Sequence, residues 1–127
     1  MDGDKHRYEH DSLSEAVIGC AFTVANTLGP GFLEKVYENA LVHELRKAKV
    51  EVEQQSRMKV RYDGIEVGEY IADLVVAMTL VVELKACKSL DDIHVAQCLN
   101  YLKATGLRIC LLMSFGTPKI QVRRLAL

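Results

Sequence analysis

Apolar residues first recur at helical spacing at Val17, Cys20, Ala21, Val24 and Leu28, the signature of one buried side of a 3.6-residue helix. Ser12-Leu13-Ser14-Glu15 just ahead of them has the Ser-x-x-Glu form of a capping box and predicts the helix start, and Gly29-Pro30-Gly31 predicts its end. A second stripe, Leu33, Val36, Tyr37, Ala40, Leu41, Leu45 and Ala48, predicts a helix ending near Lys49. The period then changes to that of strands: Val50 to Gln54, Arg57 to Tyr62, Ile65 to Val76 with a break near Gly68, and Leu80 to Lys85. Asp63-Gly64 between two of these runs is a two-residue hairpin signal. After Ser89 a third helix runs to about Thr105, Gly106 ends it, and Leu107 to Met113 and Ile120 to Leu125 read as closing strands.

The order is therefore α-α-β-β-β-β-α-β-β, which predicts an α/β fold with a mixed central sheet flanked by helices. At 127 residues, half of them hydrophobic, the chain suits one continuous core, with a single domain over 11–127 and a flexible polar tail over 1–10. The most apolar stretch, Leu74 to Val82, is far too short to span a bilayer, and the polar start lacks a signal-peptide pattern. A cytoplasmic protein with no membrane partner is expected. Cys20, Cys87, Cys98 and Cys110 form no C-x-x-C pair, so neither a disulfide framework nor a zinc knuckle is indicated. The net charge of −1 argues against gripping long nucleic acid by bulk charge, so any phosphate binding must come from local clustering.

The candidate chemistry lies in the strands. Glu83 and Lys85 in Val81-Val82-Glu83-Leu84-Lys85 must share a sheet face. Asp73, on the preceding strand, falls opposite Glu83 if the turn holds three residues, Ala77-Met78-Thr79. Charged groups among so many valines and leucines need compensation. Two carboxylates one strand spacing apart call for a countercharge, and Mg²⁺, with Mn²⁺ as an alternative, suits carboxylate oxygens while retaining water. Lys85 could then hold an attacking water or offset phosphate charge. The bland alternative is a plain ion pair between Lys85 and one of the acids.

Four separated motifs extend this: Gly29-Pro30-Gly31-Phe32-Leu33-Glu34-Lys35-Val36-Tyr37, Ile71-Ala72-Asp73, Val82-Glu83-Leu84-Lys85-Ala86 and His94-Val95-Ala96-Gln97-Cys98-Leu99-Asn100-Tyr101-Leu102-Lys103, with Ser114-Phe115-Gly116 near the end. Together, from about Glu9 to the C-terminus, they resemble the GxxExxY family, a small branch of the PD-(D/E)XK nuclease superfamily. The resemblance implies a restriction-endonuclease-like fold with Asp73 and Glu83 as metal ligands, Lys85 as the catalytic lysine, Glu34 as a completing helix acid, and Gln97 and Tyr101 as a Gln-x-x-x-Tyr element. Ile71 stands where many relatives carry Arg, and Met58 where Pro is common.

The supporting residues also have bland readings. Glu34 falls in a helix first turn, where the dipole favours a carboxylate regardless of function. His94, Gln97 and Tyr101 share one helix stripe beside an apolar one, as at the edge of a cleft. Lys119, Arg123 and Arg124 cluster near the C-terminus and could line a phosphate path, whereas the alternating Arg57, Lys59 and Arg61 read as a solvated face. The expected function is Mg²⁺-dependent hydrolysis of DNA or RNA. The alternatives are a catalytically silent nuclease-fold module that binds nucleic acid or a protein, and a structural homo-oligomer subunit. A homodimer would double the contact area of so small a domain.

Overall fold

The computed structural model describes the backbone of residues 2–127 and the side chains of residues 12–127, and the side chains of residues 1–10, where a flexible tail is expected, lie outside those described. Helix α1 (Asp2–Leu28) passes through Ser12, so Ser12-Leu13-Ser14-Glu15 does not cap a helix start as the sequence pattern suggests. Gly29 and Gly31 take positive φ angles of 70° and 110°, a turn that glycine makes without steric cost. Tyr37 locks it: its hydroxyl donates to the Gly29 carbonyl at 2.6 Å and accepts the Phe32 amide at 3.1 Å. Helix α2 (Glu34–Lys47) follows directly.

Five strands complete the sheet, one fewer than the sequence pattern predicts. Val50 to Gln54 and Arg57 to Tyr62 belong to one strand, β1 (Val52–Tyr62). The polar Gln54-Gln55-Ser56 run looks like a loop, but Gln54 and Gln55 donate their side-chain amides to Glu38 of α2, with Gln55 at 2.8 Å and in a left-handed conformation of φ 55°. Asp63 and Gly64, both at positive φ, form the expected two-residue turn between Tyr62 and Ile65. Strand β2 (Ile65–Val76) is continuous, and the break expected near Gly68 is a one-residue register shift in its pairing with β1.

Strand β3 (Leu80–Lys85), helix α3 (Asp92–Thr105), β4 (Ile109–Ser114) and β5 (Gln121–Ala126) follow. The sheet order is β1-β2-β3-β4-β5, with β3 and β4 parallel and every other pair antiparallel. The parallel pair needs a crossover, and α3 supplies it. Helices α1 and α2 pack on the face carrying Leu74, Val82, Leu84, Leu111 and Met113. Helix α3 covers the other face through Cys98, Tyr101 and Leu102 against Val81, Cys110 and Leu112. Alternation along β3 thus gives Val82 and Leu84 to one helical layer and leaves Val81, Glu83 and Lys85 for the other.

Candidate functional site

The β2–β3 turn holds Ala77, Met78 and Thr79, with Ala77 and Met78 at positive φ and the Thr79 amide donating to the Val76 carbonyl at 3.0 Å. This three-residue turn sets the register Val76↔Leu80, Val75↔Val81 and Leu74↔Val82, which by count brings Asp73 opposite Glu83. Past Leu74 and Val82 side chains replace main-chain carbonyls as acceptors. The Asp73 amide donates to Glu83 Oε1 at 3.2 Å, and the Leu84 amide donates to Asp73 Oδ2 at 2.9 Å.

Glu83 is only 4% exposed, and Asp73 is half-buried. Burial, then the neighbouring Asp73 carboxylate, pushes the Glu83 carboxyl up to about 9, against a partial downward pull from the Asp73 amide. The pair thus resists carrying two negative charges without a countercharge. Lys85 does not supply one: it lies half-buried on the same strand face, yet makes no ion pair or side-chain hydrogen bond among the described residues. The simple ion-pair alternative is therefore not what the cluster forms.

Tyr101 faces the same site from α3. Its hydroxyl donates to the Ile71 carbonyl at 3.1 Å, tethering β2 two residues before Asp73, and its ring meets Tyr70 edge-on at 5.3 Å. Burial first, and then Glu83 and Asp73, push its phenol pKa up, so it remains a protonated donor. Gln97, one turn earlier, is exposed. His94 accepts the Asp91 amide at 3.2 Å as part of the α3 capping box, the bland role. Glu34 begins α2, exposed, on the helical layer that packs against the opposite sheet face, and no hydrogen bond joins it to Asp73 or Glu83.

The C-terminal basic cluster is divided by strand geometry. Arg123 pairs with Leu112, which pairs with Glu83, so Arg123 lies in the Glu83 row on the α3 face, about 10 Å away across two strand spacings. Arg124 pairs with Leu111 and belongs to the other face, while Lys119 is exposed in the loop before β5.

Two features escaped the sequence pattern. Glu38, 4% exposed, accepts Lys35 at 2.8 Å together with both glutamines of β1. Its signal was a carboxylate set inside the apolar stripe between Tyr37 and Leu41. The other is the end of β3, where Ser114 Oγ donates to the Cys87 carbonyl at 2.5 Å and accepts the Cys87 and Gly116 amides at 3.2 and 3.3 Å. A Cβ on Gly116 would strike the Cys87 backbone. This accounts for Ser114-Phe115-Gly116 as a clamp on the chain just past Lys85.

Among the described residues no three His, Cys, Asp or Glu side chains converge as a metal cage. Two carboxylates nevertheless suit Mg²⁺, which is commonly held by one or two acids with waters and substrate phosphates filling the remaining positions. The unbalanced charge of the Asp73–Glu83 pair fits such an ion. Among the described residues no helix is long and apolar enough to cross a membrane.

A family model described as the PD-(D/E)XK nuclease superfamily matches residues 11–125. A solved structure titled "Crystal structure of SSO0001" superposes with a TM-score of 0.54 at 19% identity, covering 72% of this chain and 48% of that one. The chain thus spans about half that protein's length, and the likeness concerns the fold alone. Comparison with curated proteins finds no match.

Proposed function

The chain belongs to the PD-(D/E)XK nuclease superfamily, and from that we propose that it is a Mg²⁺-dependent nuclease hydrolysing phosphodiester bonds of DNA or RNA. The observation that carries the reading is the reciprocal bonding of Asp73 and Glu83 to each other's strands, with Lys85 left unpaired beside them. Asp73 and Glu83 would hold the ion, with Mn²⁺ as an alternative. When bound, such an ion lowers the pKa of water and neutralises charge on the scissile phosphate. Lys85, two residues along the Glu83 face, offsets the charge that builds on the phosphate oxygens. Tyr101 is a positioning residue that holds β2 against α3. Gln97, exposed on the same helix stripe, and Arg123, exposed in the Glu83 row, would contact phosphate in this reading. No step is assigned to Glu34. We also place the chain in the GxxExxY branch, on Gly31, Glu34 and Tyr37. Its four unpaired cysteines suit a reducing, cytoplasmic setting.

The test is calorimetric titration of Mg²⁺ and Mn²⁺ into wild type and Asp73→Ala, followed by incubation with labelled single-stranded, duplex and branched DNA and RNA. Metal binding and cleavage, both lost in the variant, are the expected result. Metal binding without cleavage of any substrate favours a silent nuclease-fold module. No metal binding at millimolar concentration overturns the catalytic reading.

A further inference from the structure

Both fully buried cysteines lie in one layer of the fold. Cys98 of α3 and Cys110 of β4 are 1% and 0% exposed, within the cluster that packs α3 on the sheet, whereas Cys20 and Cys87 are half-buried. Cys110 donates a hydrogen bond to Cys98, which pulls the Cys98 thiol below its usual range against the effect of burial; Lys85 adds to the pull and Asp73 opposes it. The same hydrogen bond, and then burial, push the Cys110 thiol up. Cys98 is thus the nucleophile of the pair and Cys110 its proton-bearing partner. Buried cysteines also serve as small apolar side chains, but that role requires neither contact between them nor a place beside the acids. Here both hold. Cys110 lies two residues before Leu112, the neighbour of Glu83 in the parallel strand pair. Cys98 lies three residues before Tyr101, whose hydroxyl holds the Ile71 carbonyl two residues from Asp73.

We infer that Cys98 and Cys110 form a reversible disulfide that loosens the Asp73–Glu83 pair and lowers its metal affinity, so that hydrogen peroxide turns the site down. The Cys98 thiolate attacks one peroxide oxygen, the O–O bond breaks, and the departing oxygen takes a proton to leave as water. The Cys110 sulfur then attacks the sulfenic acid at Cys98, giving up its proton as the hydroxyl leaves as a second water. Two thiols lose two electrons to one peroxide. A disulfide needs its sulfurs about 2 Å apart, nearer than hydrogen-bonded thiols stand, so closure draws α3 onto β4. Tyr101 travels with α3 and pulls on the Ile71 carbonyl, which shifts Asp73 relative to Glu83. Peroxide is small enough to reach the pair when α3 opens locally. Strain in the closed form makes it easy to reduce, as a transient control in a reducing setting requires.

The effect on metal rests on the reading of Asp73 and Glu83 as metal ligands, but formation of the disulfide does not. The test uses the full chain with Cys20→Ala and Cys87→Ser, in which the pair holds the remaining thiols. A thiol-free chain, with Cys98→Ala and Cys110→Val added, reports any effect of peroxide on methionine. After hydrogen peroxide, intact mass should fall by about 2 Da and a tryptic digest should hold a cross-linked α3–β4 peptide, both reversed by dithiothreitol. Calorimetric titration should show Mg²⁺ binding at least about fivefold weaker in the oxidised form, restored by reduction. Hydrogen exchange at the Asp73 and Leu84 amides, which donate to the two carboxylates, reads the site without metal and should quicken at least about tenfold on oxidation. Peroxide should change neither reading in the thiol-free chain. Absence of the cross-link, or a cross-link that leaves amide exchange unchanged, overturns the inference. If neither form binds Mg²⁺ while exchange quickens on oxidation, the metal reading fails and the disulfide control of the pair stands. If reduced and oxidised protein bind Mg²⁺ equally, the control fails and the metal reading stands.

Discussion

Asp73 and Glu83 are bonded crosswise: Glu83 accepts the Asp73 amide at 3.2 Å, and Asp73 accepts the Leu84 amide at 2.9 Å. Each carboxylate is thus oriented by the strand that carries the other. Neither depends on a lysine for its position, which leaves Lys85 available to a third party.

The two acids should separate under substitution. Glu83→Gln keeps an acceptor for the Asp73 amide and replaces a carboxyl that burial holds protonated, so metal-free stability at neutral pH should equal or exceed that of wild type while metal binding is lost. Asp73→Ala strips the Leu84 amide of its acceptor and should cost about 1–3 kcal/mol as well as abolishing the metal effect. At about ten times its Kd, Mg²⁺ should stabilise wild type by about 1.4 kcal/mol and neither variant. Urea titrations with and without Mg²⁺ read all three.

Glu83 also sets a pH dependence. In the metal-free protein its carboxyl is held at about 9, against an ordinary value of 4.5. Between those values the folded state binds the proton more strongly than the unfolded chain, so unfolding releases it and stability falls as pH rises. The contribution is fully present below pH 4.5 and is lost on approaching about 9. Thermal melts in EDTA should show wild type losing Tm relative to Glu83→Gln across this window. Mg²⁺ affinity should rise over the same range, because the proton must leave first. A wild-type Tm that runs parallel to that of Glu83→Gln would count against the assignment.

Gly116 and Gly19 should respond oppositely to alanine. At Gly116 the new methyl group meets the Cys87 backbone, whereas at Gly19, inside α1, it meets nothing within 4 Å. Gly116→Ala should cost about 2–4 kcal/mol through the displaced clamp beyond Lys85. Gly19→Ala should gain up to about 1 kcal/mol from helix propensity. Chemical denaturation of the two variants decides it.

Glu38 anchors α2 to β1. Glu38→Ala should destabilise by about 1–3 kcal/mol, since it leaves the Gln55 amide without its acceptor, leaves Gln54 with Asn39 alone, and removes the residue that holds Gln55 in its left-handed turn. Gln55 lies between Gln54 and Ser56, opposite the Asp73 position between Leu74 and Ala72. Glu38→Ala should therefore also weaken Mg²⁺ binding, whereas Gln55→Gly, which tolerates the same backbone conformation, should do so less. Calorimetry on both variants, alongside their melts, separates positioning from stability alone.

Local order in the sequence determined much of this protein. The 3.6-residue stripes located the bodies of all three helices, Asp63-Gly64 marked its turn, and a three-residue turn at Ala77-Met78-Thr79 was enough to set Asp73 across from Glu83, because each choice is governed by neighbours along the chain. What the tertiary structure decided depended on residues far apart. Gln54-Gln55-Ser56 reads as a break until Glu38 is brought over it. Arg123 and Arg124 are neighbours in the chain, but strand alternation sends them to opposite faces and leaves only Arg123 in the Glu83 row. Whether a polar side chain meets water, a ligand or a buried partner is set by what the sheet and its helices bring to it, and no local pattern encodes that.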